Sequence, residues 1–228
     1  MQDSTTQAGR RERGFSLMEL LIAMTVTMVV TVLASNIIAG ALKTRTRENQ
    51  KAEALADAQR AVYVMSREIA ATGFGLNGNG IVGADSTATS IRVRANLNAV
   101  DGQVTSNGTS DADEDIKYLL HTDSAGASYI IRIDVNTGAR TTILANRVDS
   151  LQIRYYEDRI TYTVANCDIT PSNGATEVTN KGEAGFLVMA LCVQLPAVGQ
   201  PGSVGYQPAS RVQLTTDVAL RNADLLNY

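Results

Sequence analysis

The sequence predicts an α+β fold in which one long N-terminal α-helix, apolar in its first half, packs on a C-terminal antiparallel β-sheet. Three observations lead there. Phe15 to Leu42 holds about 28 residues with no proline and one charge, Glu19, which exceeds the roughly 20 apolar residues that a helix needs to cross a bilayer. From Lys43 the charges return, and Leu55, Ala58, Val62, Met65 and Ile69 step by three or four, so the same helix continues with one narrow apolar face. Beyond Thr72 the period changes to short alternating runs rich in Val and Thr; the whole chain has no Trp and 3 Phe, a balance that favours strands and turns.

Four segments follow in order. Residues 1–14 are a hydrophilic leader carrying Arg10, Arg11 and Arg13 and ending in Gly14 directly against the apolar run. Residues 15–42 are the membrane half of the helix, residues 43–72 its amphipathic half, and residues 73–228 a globular head. Gly73-Phe74-Gly75 supplies the helix stop, so about 58 residues from Phe15 to Thr72 make roughly 85 Å of helix. Ser35-Asn36 and Gly40 are the weakest helix formers of the membrane half. An acid inside a membrane span costs about 2.5–3.5 kcal/mol on insertion scales, so Glu19 is expected to meet a positive charge. No Ala-x-Ala exit follows the apolar core, as a secretory signal would have; a cut between Gly14 and Phe15 instead frees an α-amine one helical turn from Glu19.

In the head, Asn77 to Thr89 reads as a loop and Ser90–Arg94 and Ile116–Leu120 as short strands separated by a polar, acidic loop, Asp101 to Asp115. Tyr129–Val135, Asn136-Thr137-Gly138 and Arg140–Leu144 form the best hairpin, with Gly138 suited to a bulge. Val148–Tyr156 places Leu151, Ile153 and Tyr155 on one face, and Arg159–Val164 is expected to pair back onto it across Glu157-Asp158. Phe186–Leu195 is apolar almost throughout and reads as a central strand buried on both faces; Arg211–Val218 is its alternating last partner.

Gly14-Phe15-Ser16-Leu17-Met18-Glu19, behind a basic leader and ahead of a long apolar helix, resembles the class III signal of type IV pilins and type II secretion pseudopilins. Arg147–Tyr155, Ala190–Leu195 and the ending Val218-Ala219-Leu220-Arg221-Asn222 look like the PilW-type minor pilins, whose relatives include the J-type pseudopilin of type II secretion. The resemblance implies a pilin-like fold and a structural, non-enzymatic role in starting or capping a type IV pilus, or at the tip of a type II secretion pseudopilus. It implies cleavage by a prepilin peptidase after Gly14, N-methylation of Phe15, and a Glu19 that neutralises the amine of a neighbouring subunit and so sets register. The implied partners are other minor and major pilins, the peptidase and the inner-membrane assembly platform, with a tip adhesin as a further candidate. The head would face the periplasm before assembly and sit at the pilus or its tip afterwards. Major pilins often carry a proline in the membrane half that this chain lacks, which leaves a kink or melted turn near Asn36 open.

Other chemistry is thinly represented. Net charge is −3, and the leader contributes about +1, which argues against nucleic acid as a direct electrostatic partner. The basic leader stays on the cytoplasmic side, so Cys167 and Cys192 lie in an oxidising compartment and are expected to pair; closing a loop of about 26 residues stabilises by roughly 3.5 kcal/mol. His121 stands alone without a nucleophile motif, and no phosphate loop, dinucleotide fingerprint, zinc spacing or cofactor motif appears. Asp111, Asp113, Glu114 and Asp115 read as a solvated acidic loop; Asp111, Asp113 and Asp115 are a weak calcium candidate, since the glycine and distant Glu of an EF-hand are missing. Tyr155, Tyr156 and Tyr162 are expected to serve packing more than a partner surface. The competing readings are a plain single-span anchor with an incidental acid, and a membrane-anchored periplasmic enzyme or binding domain with a polar pocket. Neither requires removal of the leader at Gly14.

Overall fold

The computed structural model describes residues 14–98, 108–144, 147–172 and 174–222. The expected leader, save Gly14, and residues 101–107 of the 101–115 loop lie outside them. One helix, α1 (Leu17–Ala70), runs without interruption through Ser35, Asn36 and Gly40, so the described helix is continuous where a kink was left open. Hydroxyls in its first half bond back to their own helix, Thr27 Oγ1 to the Ala23 carbonyl at 2.7 Å and Thr31 and Ser35 one and two turns on at 2.8 Å, which satisfies them without water. The helix stops where the Gly73 N–H, at φ +82°, turns away to the Arg94 carbonyl at 2.9 Å.

Of the expected apolar face, Ala58, Val62, Met65 and Ile69 are buried and Leu55 is partly buried, and Ala54 and Ala61 join them on the covered side. Among the described residues nine strands follow. β1 (Ser90–Arg94), β2 (Asp115–Thr122), β3 (Ser128–Asp134) and β4 (Arg140–Leu144) form one antiparallel sheet in that order. β5 (Val148–Tyr156), β8 (Phe186–Leu195) and β9 (Ser210–Ala219) form a second, with β8 in the middle. β6 (Tyr162–Ala165) and β7 (Asp168–Pro171) pair as a separate ribbon. The single sheet expected from sequence is thus two sheets and a ribbon, and Arg159–Val164 does not return to β5 as expected. The reason is local: Asn166 (φ +51°) and Cys167 (φ +69°) make a two-residue turn with both φ positive, the geometry that folds a strand onto the next one.

The main core lies between α1 and the two sheets, with Ile91, Tyr118, Ile130, Leu151, Ile153, Leu187, Met189 and Leu191 at its centre. A second, smaller core of Tyr156, Ile169, Phe186, Val188 and Ala190 lies between the three-stranded sheet and the ribbon. Alternate residues of β8 therefore enter different cores, which is why this strand carries almost no polar side chain. The β3–β4 hairpin forms as expected, with Gly138 at φ +74° and its N–H on the Asp134 carbonyl at 2.8 Å.

Candidate functional site: the N-terminal helix and its junction with the head

Gly14, Phe15 and Ser16 precede the helix and are exposed, and the Ser16 carbonyl accepts the first helical hydrogen bond, from the Leu20 N–H at 3.1 Å. Leu17, Met18 and Glu19 therefore present unsatisfied N–H groups at the positive end of the helix dipole, where an anion is favoured. Glu19 lies in that first turn, exposed, and no described residue forms an ion pair or side-chain hydrogen bond with it. Around it the apolar side chains are bare: Phe15 is 81% exposed and Leu17 86%, and Leu20, Leu21, Ile22, Met24, Val29, Val30, Leu33, Ile37, Ile38 and Leu42 are exposed too. The helix is long and apolar enough to cross a membrane, and its most apolar window is entirely unburied by the head. An apolar surface of this size on one chain calls for lipid or other apolar helices to cover it.

The junction with the head was not legible in the charge pattern. Arg47, one of the charges that return after the apolar run, is 7% exposed. It donates to the Pro196 carbonyl at 2.5 Å and to the Pro208 carbonyl and Ser210 Oγ at 2.6 Å, so both ends of the β8–β9 loop close on it. Lys43 Nζ donates to Ser203 Oγ at 2.9 Å and the Val204 carbonyl at 2.6 Å, holding the loop tip one turn lower.

The acidic stretch is corrected as well. Glu114 and Asp115 are buried rather than solvated. Asp115 receives Arg92 Nε at 2.7 Å and Arg94 Nε at 2.8 Å, because β1 and β2 pair in a register that sets Arg94 opposite Asp115. Burial alone raises the Asp115 carboxyl, but the bonds from Arg92 and Arg94 outweigh it and hold its pKa below the ordinary carboxylate value. Glu114 accepts the Leu97 and Asp111 N–H groups at 2.9 and 3.1 Å. Asp113 pairs with Arg132 at 2.8 Å, and Asp111 with the Asn98 amide at 2.6 Å. The three candidate calcium ligands are thus directed to three different partners, and among the described residues no group of three His, Cys, Asp or Glu is placed to hold a metal.

A cleft of about 340 Å³ lies at the far end of α1, beside Glu68, Thr72, Arg94, Asp113 and Arg132. Its charges are directed at one another: Glu68 Oε2 accepts the Tyr118 hydroxyl at 2.5 Å and Arg132 Nε at 3.1 Å. Burial and the Glu68 carboxylate push the Tyr118 phenol far above its ordinary pKa. His121 is exposed at the end of β2, opposite Tyr129. Tyr155 and Tyr156 are buried, one in each core, and Tyr162 packs at the edge of the smaller one. Cys167 and Cys192 are joined, tying the ribbon turn to the middle of β8.

Residues 9–35 fit the family model described as the prokaryotic N-terminal methylation motif. No curated protein and no solved structure matches this chain. The matched residues include Gly14, Phe15 and Glu19 and run into the bare half of α1. The motif indicates a type IV pilin-like or pseudopilin-like protein, one processed by a prepilin peptidase and assembled with other pilins.

Proposed function

We propose that the chain is a PilW-like minor pilin that takes part in initiating or capping type IV pilus assembly, a structural rather than catalytic subunit. In this reading the precursor spans the inner membrane with its head in the periplasm, is cut between Gly14 and Phe15, and is methylated on Phe15. The apolar half of α1 then leaves lipid for the helices of neighbouring subunits, and Glu19 pairs with the N-terminal amine of one of them. The observation that carries the reading is the carboxylate of Glu19, without a partner among the described residues, in the first turn of a helix whose most apolar stretch the head leaves uncovered. A solitary acid in that setting is stabilised by a charge from another chain.

The mature N-terminus tests it. Mass spectrometry of the chain coexpressed with a prepilin peptidase should find Phe15 first and methylated, and Gly14→Val should leave the leader attached. An intact leader on the native sequence would count against a pilin and leave a plain anchor or an anchored binding domain. The type II secretion alternative is separated by phenotype: loss of the protein removes surface pili in the first case and exoprotein secretion in the second.

A further inference from the structure

Between β8 and β9 the chain turns down along α1 to where the apolar run ends. Gly205, at φ +72°, lies so close to α1 that a Cβ on it would stand 2.6 Å from the Gly40 Cα. Val204 Cγ1 lies 3.7 Å from where a Gly40 side chain would begin, and Lys43 fixes the Val204 carbonyl and Ser203 from the other side. The tip is shaped by its own bonds, Ser203 N–H to the Gln200 carbonyl and Tyr206 N–H to the Ser203 carbonyl, both 3.1 Å. Yet Val204 is 51% exposed.

Bilayer dimensions say what lies at that level. A hydrocarbon core about 30 Å thick takes roughly 20 helical residues, so a span that starts near Leu17 leaves the core close to Ile37. Gly40 and Lys43 then stand in the outer headgroup layer, and a loop locked to them stands there too. The chemistry agrees: residues 196–210 contain no charged residue, and the Lys43 ammonium is held by two neutral oxygens, with no carboxylate among the described residues as its counter-ion. Lys43 and the exposed Arg45 present cations to lipid phosphates beside an apolar tip.

We propose that the β8–β9 loop tip, with Val204 at its apex, rests in the headgroup layer of the periplasmic leaflet before assembly and acts as a stop that fixes the depth of the span. The partner is a phospholipid surface, and the inference rests on the membrane-span reading of α1. The chain has no tryptophan, so one introduced indole reports alone when excited where tyrosine does not absorb. Three full-length, oxidised variants are reconstituted at low protein-to-lipid ratio into vesicles of phosphatidylethanolamine and phosphatidylglycerol: Val204→Trp, Val29→Trp in mid-span, and Val135→Trp at the β3–β4 turn. That turn adjoins the Arg132–Glu68 end of the head, about 40 Å along α1 from Gly40.

Expected for Val204→Trp are a blue-shifted emission, quenching by lipids brominated near the headgroup end of the acyl chain, and several-fold protection from acrylamide relative to Val135→Trp. Val29→Trp should be quenched by deeply brominated lipid. Acrylamide access to Val204→Trp equal to that of Val135→Trp, with Val29→Trp still lipid-quenched, overturns the stop and leaves the span intact. Aqueous access to all three overturns both. Protection of Val204→Trp that vanishes on dilution into excess lipid assigns the tip to a second copy of the chain and also overturns the proposal.

Discussion

Two glycines face each other at the helix–loop contact, and they are not equivalent. Gly205 has a positive φ, and a Cβ there would strike the Gly40 Cα at 2.6 Å; Gly40 is helical, and a Cβ there meets only Val204 Cγ1 at an ordinary 3.7 Å. Gly205→Ala should therefore lose about 1–3 kcal/mol through backbone strain and a displaced loop, whereas Gly40→Ala should change stability by less than about 1 kcal/mol. Thermal unfolding of both variants in detergent micelles checks the ordering; a Gly205→Ala chain as stable as the native one would mean that the loop does not close on α1. Arg47 makes the same point about charge. Its position in an alternating charged segment points to solvent, but its three acceptors come from a loop about 150 residues away, at Pro196, Pro208 and Ser210. A buried guanidinium is tolerated because these oxygens replace its water.

At the scale of elements, β8 was legible as a doubly buried strand, but what buries its second face was not. The β6–β7 ribbon does so, fastened to the three-stranded sheet by the Cys167–Cys192 bond, by Gln213 Oε1 accepting the Cys167 N–H at 3.1 Å and by Gln152 Oε1 accepting the Ile169 N–H at 2.6 Å. The ribbon's two short strands bury little by themselves, and an isolated hairpin of this kind is marginal in water. Replacing both cysteines by alanine should lower stability by up to about 3.5 kcal/mol. Limited proteolysis of that variant should cut first around the ribbon while the core between α1 and the sheets stays protected. Uniform loss of protection across the head would show instead that the bond supports the whole core.

For the whole molecule, the division of labour runs along α1. The head covers Ala54 to Ile69 and leaves the apolar half from Leu17 onward bare, so the chain is incomplete without lipid or neighbouring subunits. Glu19 is where these two environments differ most. If the carboxylate is only tolerated, Glu19→Ala inserts more easily and changes nothing downstream. If it meets the amine of an adjacent subunit, the same change strands a charge in a low-dielectric core. We expect Glu19→Ala to insert and to be cut at Gly14 but to enter the filament complex poorly, with Glu19→Asp as the control for charge without reach. Cleavage and incorporation measured side by side decide it: unchanged incorporation removes the pairing role, and a partial loss fits a subunit at the tip, which has fewer neighbours to satisfy.

The sequence by itself determined the features that depend on local period and composition: the long helix with its change from apolar to amphipathic near Leu42, the β3–β4 hairpin with its glycine, and the apolar central strand, whereas continuity of the helix through Asn36 came only from the structure. Helical and strand periods are fixed by backbone geometry, and a membrane span by the absence of charge, so both can be read one residue after another. Only the tertiary structure decided that the strands divide into two sheets and a ribbon, that Asp115 sits between Arg92 and Arg94, and that a neutral loop closes on Arg47 at the end of the apolar run. Each depends on which distant groups come to share one low-dielectric site. That pairing is chosen by the free energy of burying polar groups together, which no stretch of sequence read alone contains.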